Sequence, residues 1–326
     1  MKICLVGDVM LGRLLNERLR HSPPERVWGD LLPLFEEADL RFANLECVLA
    51  DGGTPWPDKA FHFRSDTKNV ACLEKARIDV VSLANNHTLD YGVGALREML
   101  PVLDARGVLH AGAGLDAEGA RRPAVVTAGA VDVGVIAFTD NEPGWAATEA
   151  TAGVFHVPTS PGDPRLRDLV DLVRRTRSEV GFLVVSAHWG ANWGTSVPAD
   201  HRAVAHALVD AGADVVFGHS AHIFRGVEVY HGRPVVYSAG DFVDDYAVDP
   251  LQRNDESFAF VLEAHDGVPV ALRLVPTLIE DLQVRLAGRE ARAIGARMQR
   301  LSAALGTEAR WLDAERRLDI RCGSGS

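Results

Sequence analysis

An α/β fold built as one large domain is the architecture this sequence predicts, and three observations predict it. Runs of branched apolar residues recur at the length of buried strands, at 3–6, 80–83, 183–186 and 215–217. Segments of helix-forming composition alternate with them, the signature of a layered α/β domain. Each of the four runs then stops at a polar cluster: Gly7-Asp8, Asn85-Asn86-His87, His188-Trp189-Gly190 and Gly218-His219-Ser220-Ala221-His222. In open α/β sheets ligands bind beyond the carboxyl ends of strands. Four strands that deliver Asp, Asn or His at the same end outline a metal site.

The remaining elements follow in order. Residues 11–20 have helical composition and end at Pro23-Pro24, and 31–38 read as a short helix. Residues 39–43 read as a strand leading into Asn44-Leu45-Glu46. A turn-rich stretch at 52–57 precedes a weak strand at 61–64. Helices are predicted at 67–76 and 94–106, the second closed by Gly107. Residues 109–114 return to the sheet, and 124–127 with 131–138 form a strand pair turning at Gly129. The stretch 141–164 is rich in Gly, Pro, Ala and Thr and reads as a long loop, a length common in functional lids. Helices at 166–177 and 200–211 flank the strand that ends at His188. A hairpin over 227–238, an antiparallel pair at 258–264 and 268–275, and a helix at 289–305 complete the pattern. The last residues, 322–326, read as disordered.

The chain has 326 residues, 47% hydrophobic and 24% charged, with a formal net charge of -11. That balance argues against a broad electrostatic grip on nucleic acid or anionic lipid, which needs clustered Lys and Arg, and leaves room for a few Arg in a cleft to hold an anionic substrate. The first core strand follows Met1-Lys2 directly, so no signal peptide is expected. No apolar run approaches the ~20 residues that span a bilayer. Cys4, Cys47, Cys72 and Cys322 are scattered without CxxC spacing, so neither a disulfide framework nor a thiolate metal site is expected. The location expected is cytoplasmic, with no membrane and no nucleic-acid partner.

Asp8, Glu46, Asn86, His188, His219 and His222 make a mixed oxygen and imidazole set suited to Mn, Zn, Fe or Co. The set is too large for one tetrahedral zinc and suits two divalent ions sharing a bridging carboxylate, an arrangement that activates water and stabilises a leaving oxygen. Asn44 and Asn85 read as turn and backbone-bonding residues. No GxGxxG or GxxxxGK[ST] follows any strand, which argues against a nucleotide-binding module.

At these motifs the sequence is familiar. GDVMLGR (7–13), NLE (44–46), SLANNHTLDYG (82–92), HWGANWG (188–194), GHSAH (218–222) and YSAGDFVDDY (237–246) resemble the CapA family, named for poly-γ-glutamate capsule biosynthesis. The resemblance implies a metallophosphoesterase-like fold, a four-layer β-sandwich flanked by helices, over residues 1–280. Residues 281–326 are then a C-terminal helical appendage with a disordered tail. It also implies two metal sites: Asp8 with His222, and Asn86 with His188 and His219, with Glu46 between them. Met10 stands where the related phosphoesterases carry a His ligand, and a thioether is a poor ligand for a hard ion.

By the same analogy His87 is the expected general acid, and Asp241 orients the metal-site imidazoles, while Asp244 and Asp245 cap a turn. Lys59, Arg64, Trp189 and Asn192 are the expected substrate contacts. The function implied is a metal-dependent hydrolase acting on an amide or γ-glutamyl bond, or on a phosphoester, in small-molecule or polymer biosynthesis. The alternative is a non-catalytic accessory protein of a poly-γ-glutamate synthesis or export assembly.

Overall fold

In the computed structural model, which describes residues 1–323, the first apolar run becomes strand Lys2–Val9 inside a 10-stranded sheet. The strand does not stop at Gly7 but carries Asp8 within it. On one side it pairs in parallel with Leu40–Leu45, which continues to Val80–Ser82 and Leu109–Ala111. On the other side it pairs antiparallel with Glu256–His265, followed by Val268–Glu280, Arg317–Arg321 and Ala309–Leu312. A second sheet has 6 strands. Its inner four, Arg233–Val236, Val215–His219, Phe182–His188 and Val131–Thr139, run parallel. The antiparallel strands Val227–Tyr230 and Ala124–Ala128 close its two edges.

Side chains alternate across a strand, and here that alternation sorts them into three cores. Ile3, Leu5 and Phe42 of the first sheet face Phe182, Val184 and Phe217 of the second. Their neighbours Cys4 and Val6 turn outward to Leu73 of helix Val70–Lys75 and Leu96 of helix Gly92–Asp104. Leu183 and Val185 turn the other way, onto helices Pro164–Glu179 and Ala199–Asp210. The result is helix, sheet, sheet, helix, the four-layer metallophosphoesterase-like sandwich. Edge-to-face contacts Phe42–Phe217 (5.9 Å) and Phe217–Phe260 (5.5 Å) join the sheets at their centre, and truncating such a ring costs about 3–5 kcal/mol.

Several expected elements differ. The weak strand near 61–64 is only Arg64–Ser65, paired with Val48–Leu49. The 141–164 segment is not free loop. Its Gly153–Val154 pairs with Ala113–Gly114, and Trp145 packs edge-on against Trp56 at 5.4 Å. Beyond Glu280 the chain is helical only over Ala291–Ala303, and strands Gln283–Leu286, Ala309–Leu312 and Arg317–Arg321 extend the first sheet. Of the expected disordered tail, Cys322 and Gly323 donate backbone bonds to Val270 and Gly232 (3.0 and 3.1 Å), and 324–326 lie outside the described residues. No described helix is long and apolar enough to cross a membrane.

Candidate metal centre

Two strand registers build this centre. In the first sheet Asn44, Asp8 and Asp241 are cross-strand neighbours, because Lys2–Val9 pairs in parallel with Leu40–Leu45 and with the short strand Asp241–Val243. The close approach of that last segment depends on Gly7, where an added Cβ would lie 2.0 Å from the Gly240 carbonyl oxygen. In the second sheet His188 and His219 are in register. The two rows face one another across the end of the sandwich, with His219 Nδ1 3.8 Å from Asp8 Oδ1.

The donors form two groups whose ligand atoms lie within 4.8 Å of one another: Asp8, His188 and His219, and Asp8, His222 and Asp241. His188 and His219 turn their Nδ1 atoms to within 2.8 Å, and His219 Nε2 meets Ser186 Oγ at 2.6 Å. His222 Nδ1 lies 3.0 Å from Asp241 Oδ1. Asn44 Nδ2 donates to Asp8 Oδ1 (2.8 Å) and reaches Glu46 Oε2 at 3.4 Å. Asp8 Oδ2, Asn86 Oδ1, Asp241 Oδ2 and His188 Nε2 are buried with no hydrogen-bond partner. Buried polar atoms rarely go unpartnered, and a divalent ion would satisfy these.

Charge points the same way. Burial raises the carboxyl pKa values of Asp8, Glu46, Asp241 and Asp244, and neighbouring carboxylates push Glu46, Asp241 and Asp244 further. Burial lowers the imidazoles, His219 to about 3 and His188 well below its ordinary value, so they are neutral and able to ligate. A cation relieves the repulsion among the carboxylates and accepts the imidazole lone pairs. The residues present therefore fit a divalent metal.

Beside the donors stands His87, its Nδ1 2.6 Å from Asp90 Oδ2 and its ring stacked on Phe63 at 3.8 Å. Asp90 is fully buried and also accepts from Lys59 Nζ and the Phe63 N–H. Burial lowers His87 to about 4 against the opposing pull of Asp90, so its free Nε2, 3.9 Å from Glu46 Oε1, is a proton acceptor at neutral pH. Above it opens a cleft of about 300 Å³ lined by Arg13, Phe61, Phe63, His87, Asn192, Trp193, His222, Tyr246, Ala247 and Asn254.

A family model described as "Bacterial capsule synthesis protein PGA_cap" matches residues 2–246. The chain belongs to the PGA_cap family. A probable polyglutamine synthesis accessory protein of Mycobacterium tuberculosis is 31% identical over 334 aligned positions, 88% of this chain and 87% of that protein. The PGA biosynthesis protein CapA of Bacillus subtilis is 29% identical over 243 positions, 74% of this chain and 62% of its own length. In structure, a hypothetical protein from Thermus thermophilus matches with a TM-score of 0.52 at 17% identity, covering 88% of this chain and 100% of that one. That likeness is one of fold. The PGA_cap match contains every donor described above and ends at Tyr246.

Within this PGA_cap chain the residues expected from sequence divide clearly. Asp8, His188, His219 and His222 fall into the two donor groups, with His219 and His222 on different sides of Asp8. Glu46, expected between two metals, is in neither group and lies toward His87, while Asp8 is common to both. Asp241, expected to orient imidazoles, is itself a potential donor. Asn86 points a buried, unpartnered amide oxygen. Asn85, as expected, bonds backbone: it donates to the Leu45 carbonyl and accepts from the His87 N–H. Met10 is buried, with its sulfur accepting the Gly12 N–H at 3.0 Å.

Of the expected substrate contacts, Asn192 lines the cleft and three do not. Lys59 is tied to Asp90 and the Asn86 carbonyl. Arg64 donates to the Gly52 carbonyl (3.2 Å) and covers the Tyr91 ring. Trp189 is fully buried, with Nε1 donating to the Tyr237 carbonyl (2.9 Å) and its ring stacked on His201. Its neighbour Trp193, 46% exposed, is the tryptophan at the cleft. Sequence reasoning missed Ser186, Phe63 and Tyr246. For Ser186 a signal existed, since it stands two residues before His188 and shares its face of the strand.

Proposed function

We propose that this PGA_cap chain is a metal-dependent hydrolase of amide bonds of the γ-glutamyl type, with two divalent ions (Mn, Zn or Fe) held at the centre. The observation that carries this reading is the sharing of Asp8 by two donor groups, one fully buried and one reaching through His222 into the cleft that His87 also lines. Asp8, His188 and His219, with the amide oxygen of Asn86, would hold one ion, and Asp8, His222 and Asp241 the other. When bound, the metals supply Lewis acidity, which lowers the pKa of water and stabilises charge developing on a carbonyl oxygen.

The chain's own residues do the rest. Asp90 accepts from Nδ1 of His87 and so fixes the tautomer with Nε2 free toward the cleft. Nε2 takes a proton from the attacking water and returns it to the leaving nitrogen, a shuttle and not only the general acid expected from sequence. Phe63, stacked on the imidazole, excludes water from one face of the ring. The relatives' names, which speak of polyglutamine and PGA synthesis, agree with a glutamyl substrate. A phosphoester is less well served, because a single cationic side chain lines the cleft.

The test is turnover by the full chain reconstituted with Mn or Zn, offered γ-glutamyl peptides and, separately, p-nitrophenyl phosphate. The reading expects release of glutamate that is abolished by chelator and in His87→Ala. A metal-loaded protein that cleaves neither substrate supports the non-catalytic accessory role instead. Cleavage of the phosphate ester alone supports a phosphoesterase.

A further inference from the structure

The cleft wall above His87 carries one cationic side chain, Arg13, and its setting is unusual. Its guanidinium lies 5.9 Å from the Phe61 ring centroid and 5.7 Å from that of Phe63. Phe63 in turn stacks on His87, so guanidinium, phenyl and imidazole form a file from the mouth of the cleft to its floor. Among the described residues the ion pair of Arg13 runs through Nε to Asp245 at 3.5 Å, and its two terminal nitrogens have no hydrogen-bond acceptor. The Asp245 side chain is fully buried and also accepts the Leu14 N–H at 2.8 Å, which fixes the backbone on which Arg13 sits.

That backbone is left-handed, with φ 51°. Side-chain-bearing residues seldom adopt this region, and when they do at a pocket, position is commonly what is being secured. Here the unusual φ and the Asp245 contact together hold a guanidinium fork over the cleft with its outer edge free.

The geometry points to Arg13 as the anchor for a carboxylate of the substrate, the contact that selects a glutamyl-type amide over a neutral one. This rests on the amide-hydrolase reading above. A guanidinium presents parallel N–H donors matched to the two oxygens of one carboxylate. Phe61 and Phe63 keep it in place through their ring faces. The cleft offers one such fork, whereas phosphoryl groups are usually gathered by several cations. Arg13 therefore sets which amide is presented to His87, and it acts on affinity ahead of chemistry.

The experiment is calorimetric binding of γ-glutamylglutamate to the Mn-loaded full chain carrying His87→Gln to suppress turnover, with Arg13 as in wild type or changed to Arg13→Gly or Arg13→Lys. Glycine suits φ 51°, so Arg13→Gly should fold, shown by a single cooperative thermal transition. The expected result is affinity weakened tenfold or more in Arg13→Gly and to an intermediate degree in Arg13→Lys. An analogue with its carboxylates amidated should bind weakly and equally to all three. Equal affinity for γ-glutamylglutamate in wild type and Arg13→Gly overturns the assignment, as does no binding by wild type. Tighter binding of phenyl phosphate, with the larger loss on substitution, also overturns it and assigns the anchor to a phosphoryl group. Glutamate release is assayed separately with His87 intact, so Arg13-dependent binding with no release there refutes the hydrolase reading and leaves the anchor standing.

Discussion

The two sheets contribute unlike halves to one centre. The first delivers oxygen: Asp8, Asn44 and Asp241 from adjacent strands, with Glu46 and Asn86 from the loops beyond. The second delivers nitrogen: His188 and His219 in register, with His222 three residues on. Burial acts on them in opposite directions, raising the carboxyl pKa values and lowering those of the imidazoles, which stay neutral. The oxygen half is destabilised by its own charge, while the nitrogen half has lone pairs to offer. Only an ion between them suits both, and Asp8, on the strand that faces both donor sets, is where the halves join.

The comparison can be broken most severely at that joint. Asp8→Asn should leave the protein without metal and lower turnover in metal-replete buffer by at least about 1000-fold, because the metals supply several kcal/mol of transition-state stabilisation, while metal-free stability is unchanged or raised because a buried carboxyl is gone. His87→Gln leaves both halves intact and should keep the metal while turnover falls by ~10²–10⁴; metal loss in this variant would make His87 part of the ligand set. Ser186→Ala removes the hydroxyl beside His219 Nε2 and should weaken metal affinity by ~10–100-fold, measured by competition with a chelating dye.

The opposite titrations sharpen the comparison further. The carboxyls have folded pKa values above their unfolded ones, so in metal-free protein their contribution is present in acid and lost as pH rises through the raised values. His219, lowered from 6.5 to about 3, contributes above 6.5 and loses that contribution as pH falls toward 3. Protons held by the carboxyls compete with metal in mild acid. Added Mn should therefore raise the thermal midpoint more at pH 7.5 than at pH 5, and an equal or reversed shift would break the account. The smallest effect separates two neighbouring tryptophans. Trp189→Phe should cost about 1–3 kcal/mol by leaving the Tyr237 carbonyl unpaired, with metal content unchanged. Trp193→Ala should stay within ~0.5 kcal/mol, as exposed positions do, in a denaturant titration.

Much of this was legible because strand and site announce themselves together. The branched runs ending at Asp8, His188 and His219 named both sheets and most donors. Asp241 was harder to read, since its strand is only Asp241–Val243 and finds its partner Lys2–Val9 across the whole chain. Nothing local specifies a pairing of that kind. His219 and His222 enter different donor groups, and Ser220 between them takes φ 99°, a conformation the motif does not announce. Lys59 and Arg64 are expected as substrate contacts from the family resemblance of their segment, while the destinations of long side chains depend on neighbours that the sequence does not order. Trp189 is an error that period-two alternation could have prevented. If His188 faces the site, the next residue faces the helices.

The central claim is that two donor groups meet at Asp8, and elemental analysis of purified, Mn- or Zn-reconstituted protein tests it most directly. The account predicts about two equivalents in wild type, about one in His188→Ala or His222→Ala, and none in Asp8→Asn. No metal in the reconstituted wild type, or an unchanged content in Asp8→Asn, would contradict it.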